Sequence, residues 1–209
     1  MKSKKKKIKH PVFLSEDAWI KVKQASDSDL IKMIRSKAPR TYQELVKRYK
    51  SKLFAYLYRL VGNREEAEDI LQNVFVKVYK NISHFDTKRK FSSWIYRIAH
   101  NEAVNFLKKR GRRHLVSLED IETTKDKLET ASIEKSPVDS WLQKELKKEM
   151  QDALDKLPAK YKEVLILRYF LDKSYDEMSE ILGKPVNTVG TLLNRAKNKL
   201  MQIIKTSWK

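Results

Sequence analysis

The chain contains no cysteine. That excludes disulfides, thiolate zinc sites, iron–sulfur clusters and thiol nucleophiles. Histidine is scarce: His10, His84, His100 and His114 stand apart, and none pairs at a metal-ligand spacing. No apolar run approaches the roughly 20 residues that span a bilayer. The Lys-rich start (Lys2, Lys4, Lys5, Lys6, Lys7, Lys9) is not followed by the apolar stretch of a secretory signal. The expectation is a cytoplasmic protein without an integral membrane segment. Only 4 glycines are present, and no alternating pattern bounded by turn residues, so the composition is helical. Acids are also in deficit, with 27 Asp+Glu against 46 Lys+Arg, a net charge of +19. Such an excess repels itself unless a polyanion offsets it. Nucleic acid is the leading candidate and an anionic membrane surface the weaker one.

The charge is not spread evenly. Lys88, Arg89, Lys90, Arg97, Lys108, Lys109, Arg110, Arg112 and Arg113 face a single acid, Glu102, between residues 88 and 113. From Lys184 to Lys209 there are basic residues and no acid. Between these stretches, Leu115 to Ser140 is mostly acidic and lacks periodicity. Two basic surfaces joined by an acidic connector fit two nucleic-acid sites better than one solvated face. The fold class expected is all-α: two small helical domains joined by a flexible acidic linker. The boundaries are a basic tail over 1–25, a first domain over 26–114, the linker over 115–139 and a second domain over 140–209.

Helical periodicity supports this division. A short helix is expected from Ser28 to before Pro39. A longer one, capped by Thr41 with Glu44, has a stripe of Leu45, Tyr49, Leu53, Tyr56, Leu57 and Leu60 and ends at Gly62. Asn63 with Glu66 caps the next, whose apolar set is Ala67, Ile70, Leu71, Val74, Phe75, Val78, Tyr79 and Ile82. A basic loop over 84–90 precedes a helix from Ser92 to Lys109, which Gly111 is expected to stop. In the second domain Pro158 interrupts a helix. Ser174 with Glu177 forms another capping box, Gly183 and Pro185 make a turn, and a basic helix closes the chain.

Two constellations bear on function. Ser174–Leu200 has a helix-turn-helix layout, in which the second helix enters the major groove. Asn187, Thr188, Thr191, Asn194, Arg195 and Lys197 stand where they would contact bases and phosphates. The alternative is a helical hairpin with basic solvent residues. In the first domain, Phe85 and the basic residues Lys88, Arg89 and Lys90 precede a helix whose polar face is Arg97, Asn101, Asn105 and Lys108. Aromatics among cations suit unstacked bases, although Phe91 and Trp94 also read as core and Phe85 fits either role. The outer face around Glu68, Asp69, Gln72, Asn73 and Val76 is less basic and reads first as solvated. No phosphate loop, nucleophile motif or metal cluster appears, so no catalytic residue, cofactor or metal is expected.

Three stretches resemble the sigma-70 family of bacterial sigma factors, in its extracytoplasmic-function group. They are Ala67-Glu-Asp-Ile-Leu-Gln-Asn-Val-Phe-Val-Lys-Val-Tyr79, Phe91-Ser-Ser-Trp-Ile-Tyr-Arg-Ile-Ala-His-Asn101, and Leu157-Pro158 through Ser174-Tyr-Asp-Glu-Met-Ser-Glu-Ile-Leu182 to Asn194-Arg-Ala-Lys197. The resemblance implies a transcription initiation factor and no enzyme. Asp69, Gln72, Asn73 and Phe75 would dock on core RNA polymerase. Phe85, Lys88, Arg89, Lys90, Arg97, Asn101, Asn105 and Lys108 would recognise and melt the −10 element, and the last helix would bind the −35 duplex. An anti-sigma factor is a further candidate partner. Asn73 stands where the family commonly has an acid, and Gly190 and Leu192 where it often has basic residues. Rival readings are a DNA-binding regulator that does not recruit polymerase, a nuclease, and a basic packaging protein.

Overall fold

The computed structural model describes residues 16–36, 41–114 and 149–207. The expected linker over 115–139, the Lys-rich start and the opening of the helix expected near residue 140 lie outside the described residues. Within them the chain is helical and contains no strand. The elements are α1 (Glu16–Gln24), α2 (Asp27–Arg35), α3 (Thr41–Val61), α4 (Arg64–Asn81), a single 3₁₀ turn (Ile82–His84) and α5 (Phe91–His114). After the gap come α6 (149–155), α7 (Ala159–Leu165) running into a π turn (Ile166–Phe170), α8 (Tyr175–Leu182) and α9 (Val186–Ser207).

The N-terminal unit is built on α3, whose stripe of Leu45, Tyr49, Leu53, Tyr56, Leu57 and Leu60 is buried against α4 and α5. Gly62 takes φ +84°, a left-handed turn that ends α3. Asn63 then caps α4, its Oδ1 accepting the Glu66 N–H at 3.0 Å. Ala67, Ile70, Leu71, Val74 and Val78 bury the centre of the α4 stripe. Phe75 and Tyr79 lie at its edge, and Tyr79 is 53% exposed. Arg48 fastens α1 and α2 to this core, donating to Ala25 O at 2.8 Å, Lys23 O at 2.9 Å and Asp27 Oδ1 at 3.1 Å.

One helix boundary differs from expectation. α5 continues through Gly111 to His114. A glycine in an exposed helix costs about 1 kcal/mol, too little to break a helix of this length when nothing demands a turn there.

In the C-terminal unit Pro158 ends one helix and opens the next, with φ −54° and ψ 140°. The Ser174–Glu177 capping box is complete: Glu177 N–H donates to Ser174 Oγ at 3.2 Å, and Ser174 N–H to Glu177 Oε2 at 3.0 Å. Gly183 closes α8 in the left-handed region, φ +63°. α7, α8 and α9 share a core of Ile166, Leu167, Met178, Ile181, Val189, Leu193 and Ala196. The two units also pack on each other, α5 along α8 and α3 against α7.

Candidate nucleic-acid interface

The basic loop before α5 is shaped by its one acid. Asp86 Oδ1 accepts the Lys88 N–H at 3.0 Å and Asp86 O accepts the Arg89 N–H at 3.0 Å, a tight turn that leaves Lys88, Arg89 and Lys90 exposed. Arg35 reaches across from α2 and donates to Ile82 O at 3.2 Å and to Phe85 O, pinning the start of the loop. Phe85 itself is 4% exposed. Its ring packs 4.9 Å from Trp94 and 5.5 Å from Phe91, centroid to centroid. The side chain expected to stack on a base is therefore in the core here, and it supports the loop from beneath.

Past this cluster, Arg97, Asn101, Asn105 and Lys108 are all exposed and share one face of α5, as their spacing requires. Ion pairs from Lys77 to Glu102, and from Arg110 to Glu66 at 2.9 Å, tie α5 to α4 and fix the presentation of that face. Glu102, the single acid of the stretch, is thereby occupied.

On α9, Asn187, Thr188, Thr191, Asn194 and Arg195 are exposed on the side opposite Val189, Leu193 and Ala196. The Thr191 hydroxyl donates to Asn187 O at 3.0 Å, which leaves its methyl and its lone pairs outward. Lys197 lies on the flank, its ammonium 5.6 Å from the centre of the Tyr169 ring. A hydrogen bond with Tyr169 raises its pKa above the ordinary lysine value, so it stays charged. α8, the Gly183 turn and α9 form a helix-turn-helix whose second helix presents amides, hydroxyls and a guanidinium on its exposed side.

The outer face of α4 differs in kind. Asp69, Gln72 and Asn73 are exposed, Phe75 is half-buried, and Val76 is 51% exposed beside Tyr79. Apolar groups left open among uncharged and acidic ones fit a protein partner better than DNA. No group of His, Asp or Glu able to hold a metal occurs among the described residues. No described helix is long and apolar enough to cross a membrane.

The family model for Sigma-70 region 2 matches residues 45–113, and that for Sigma-70, region 4 matches residues 147–200. The chain belongs to the extracytoplasmic-function group of the sigma-70 family. The ECF RNA polymerase sigma factor SigW of Bacillus subtilis is 34% identical over 177 residues, covering 84% of this chain and 95% of that one. The RNA polymerase sigma-H factor of Pseudomonas aeruginosa is 31% identical over 180 residues, covering 85% and 93%. Among solved structures, the sigma factor RpoE in complex with the anti-sigma factor NepR from Bartonella quintana aligns with TM-score 0.64 at 23% identity, over 78% of this chain and 96% of that one. At that identity the alignment speaks to the fold, two helical domains. This sigma factor is thus a transcription initiation factor, with region 2 in the N-terminal unit and region 4 in the C-terminal one.

Sequence reasoning missed what joins the two regions. Glu163 of α7 is 5% exposed, and its Oε1 accepts from the Tyr56 hydroxyl of α3 and from His100 Nδ1 of α5, both at 2.5 Å. A carboxylate can only accept, so the imidazole must carry its hydrogen on Nδ1. Burial, reinforced by the Glu163 charge, holds the Tyr56 phenol well above its ordinary pKa, so it remains a donor. The local sign of this site is a Lys162-Glu163 pair set among buried Tyr161, Val164 and Leu165.

Proposed function

We propose that this sigma factor uses three surfaces in the roles that its family order implies. The α5 face and the loop before it take the −10 element as a melted strand: Lys88, Arg89, Lys90, Arg97 and Lys108 track phosphates, and Asn101 and Asn105 address bases. Phe85 positions that loop. The α9 face, Asn187, Thr188, Thr191, Asn194, Arg195 and Lys197, reads the −35 element as duplex. Asp69, Gln72, Asn73 and Phe75 on α4 dock on core RNA polymerase.

The observation that carries this reading is that α5 and α9 each present an exposed basic face while the exposed face of α4 differs from both in chemistry. Unstacking a base costs a few kcal/mol, and stacking and phosphate contacts offset it. The polymerase supplies the chemistry of RNA synthesis and the factor none, which places it in the cytoplasm with that enzyme. We take region 2 as the domain over 26–114 and region 4 as the domain over 140–209, with the acidic segment 115–139 as the connector between them. An anti-sigma factor is a partner on the pattern of the Bartonella complex.

The test is size-exclusion chromatography with core polymerase at controlled moderate salt, because a +19 chain adheres non-specifically at low salt. A salt-resistant one-to-one complex, lost in Asp69→Ala/Gln72→Ala, is the expected result. No complex, with duplex binding intact, returns the chain to the class of helix-turn-helix regulators.

A further inference from the structure

The first turn of α5 is left open by its own sequence. Trp94 N–H donates to Lys90 O at 3.3 Å, so Lys90 stands at the cap position, and its side chain has no oxygen to offer. The turn itself holds no acid. The N–H groups of Phe91, Ser92 and Ser93 thus lack a capping acceptor, and the positive end of a 24-residue helix is not neutralised from within. Arg89 and Lys90 precede this end and Arg97 follows in the next turn, all three exposed.

Ser93 adds a group that the fold itself does not use. It is 2% exposed, and its Oγ is the one buried side-chain polar atom among the described residues without a hydrogen-bond partner. An unpaired buried hydroxyl destabilises, and alanine would fill the same place without that cost. Ser93 lines a crevice of about 150 Å³ together with Arg89, Lys90, Trp94, Arg97 and, from α8, Glu180. The orphaned hydroxyl, the open helix end and three cations therefore meet at one place. Glu177 is the other acid nearby. Its Oε1 lies 3.5 Å from Lys90 Nζ and 3.7 Å from Lys173 Nζ, so its charge is shared between two lysines.

We propose that this crevice binds a phosphate monoester, the terminal phosphoryl group of a small molecule. The first-turn N–H groups and Ser93 Oγ are its donors, and Arg89, Lys90 and Arg97 its counter-charges. A helix N-terminus backed by cations is a natural setting for such a group. Charge and space select the monoester over a strand phosphate. Arg89, Lys90, Arg97 and Lys173 stand against Glu177 and Glu180, an excess that matches the roughly two negative charges of a monoester near neutral pH. A backbone diester carries one charge. It also needs a link on both sides of its phosphate, whereas a crevice of about 150 Å³ holds the group with a single link. A ligand there draws on Arg89, Lys90 and Arg97 and so competes with a melted strand. That consequence, unlike the site, rests on the assignment of the α5 face to the −10 element.

Proton–nitrogen amide spectra of the full chain, titrated with methyl phosphate at constant ionic strength, test the site. The amides of Phe91, Ser92, Ser93 and Trp94 should shift together and saturate. Dimethyl phosphate, a backbone mimic with one charge, should bind severalfold more weakly. Ser93→Ala should weaken methyl phosphate about tenfold or more, the loss expected for a buried bond to a charged group. It should melt no lower than the wild type, because it removes an unpaired hydroxyl. Arg97→Gln, at an exposed residue, should also weaken binding, with little risk to the core. Absence of a saturable shift in the wild type overturns the site. Equal binding of dimethyl phosphate overturns the monoester and leaves a backbone subsite in its place. Unchanged affinity in Ser93→Ala, or a lower melting temperature, overturns the role of its hydroxyl. A short oligothymidylate should displace methyl phosphate. If methyl phosphate saturates the four amides and oligothymidylate never displaces it, the −10 assignment falls and the monoester site stands.

Discussion

Asn101→Ala separates recognition from folding because the two effects have opposite sign. Asn101 is exposed in the middle of α5 and, among the described residues, its side chain has no hydrogen-bond partner. Its loss therefore costs the fold nothing in packing or in unsatisfied groups. Alanine is the better helix former, by about 0.5 kcal/mol, so the melting temperature should stay level or rise slightly. If Asn101 addresses a base, losing that contact costs about 1–3 kcal/mol of discrimination, roughly 5- to 150-fold in affinity. The assay is selection of fork-junction DNA with a randomised −10 segment and a constant −35 duplex, using polymerase holoenzyme made with each variant. The mutant should enrich a sequence relaxed at one −10 position, and −35 binding should be unchanged. Recovery of the same sequence with the same affinity refutes the role. A fall in melting temperature refutes the premise that the side chain is free.

The two glycines of opposite setting should respond oppositely to alanine. Gly183→Ala should destabilise region 4 by about 1 kcal/mol through the strained left-handed backbone, since the new methyl would meet only the Arg97 guanidinium at 3.7 Å. Gly111→Ala, in helix with nothing within 4 Å, should stabilise α5 by about 1 kcal/mol; thermal melts of both check the pair. Ser174→Ala removes the acceptor of the α8 capping box and should cost about 1 kcal/mol in denaturant titration. Alkali should unfold the protein cooperatively. Burial first, then the hydrogen bond to Asp27, raises the Tyr49 pKa, burial raises that of Tyr56, and Tyr96 is pushed up to about 12. With folded pKa values above the unfolded value near 10, the stability they lend is whole below that pH and is lost as pH rises past it. Phenolate absorbance should show early ionisation of exposed tyrosines and a late step coincident with loss of helix.

The helices were legible because their signals are local and redundant. The α4 stripe repeats at steps of three and four, Asn63 and Gly62 bracket it, and any one of these could be lost without changing the reading. What the periodicity hides is the width of the buried stripe. Tyr79 fits the repeat as well as Val78 does, yet it lies at the stripe's edge and is exposed. Gly111 was misread because composition does not say whether a turn is needed at that point. Phe85 was legible as an aromatic in a polar loop, but the sequence left its burial open, because the cover comes from Arg35 on α2 and from Phe91 and Trp94 together. The clasp was out of reach altogether. Tyr56 and Glu163 are 107 positions apart, each on a helix whose own pattern is complete without the other.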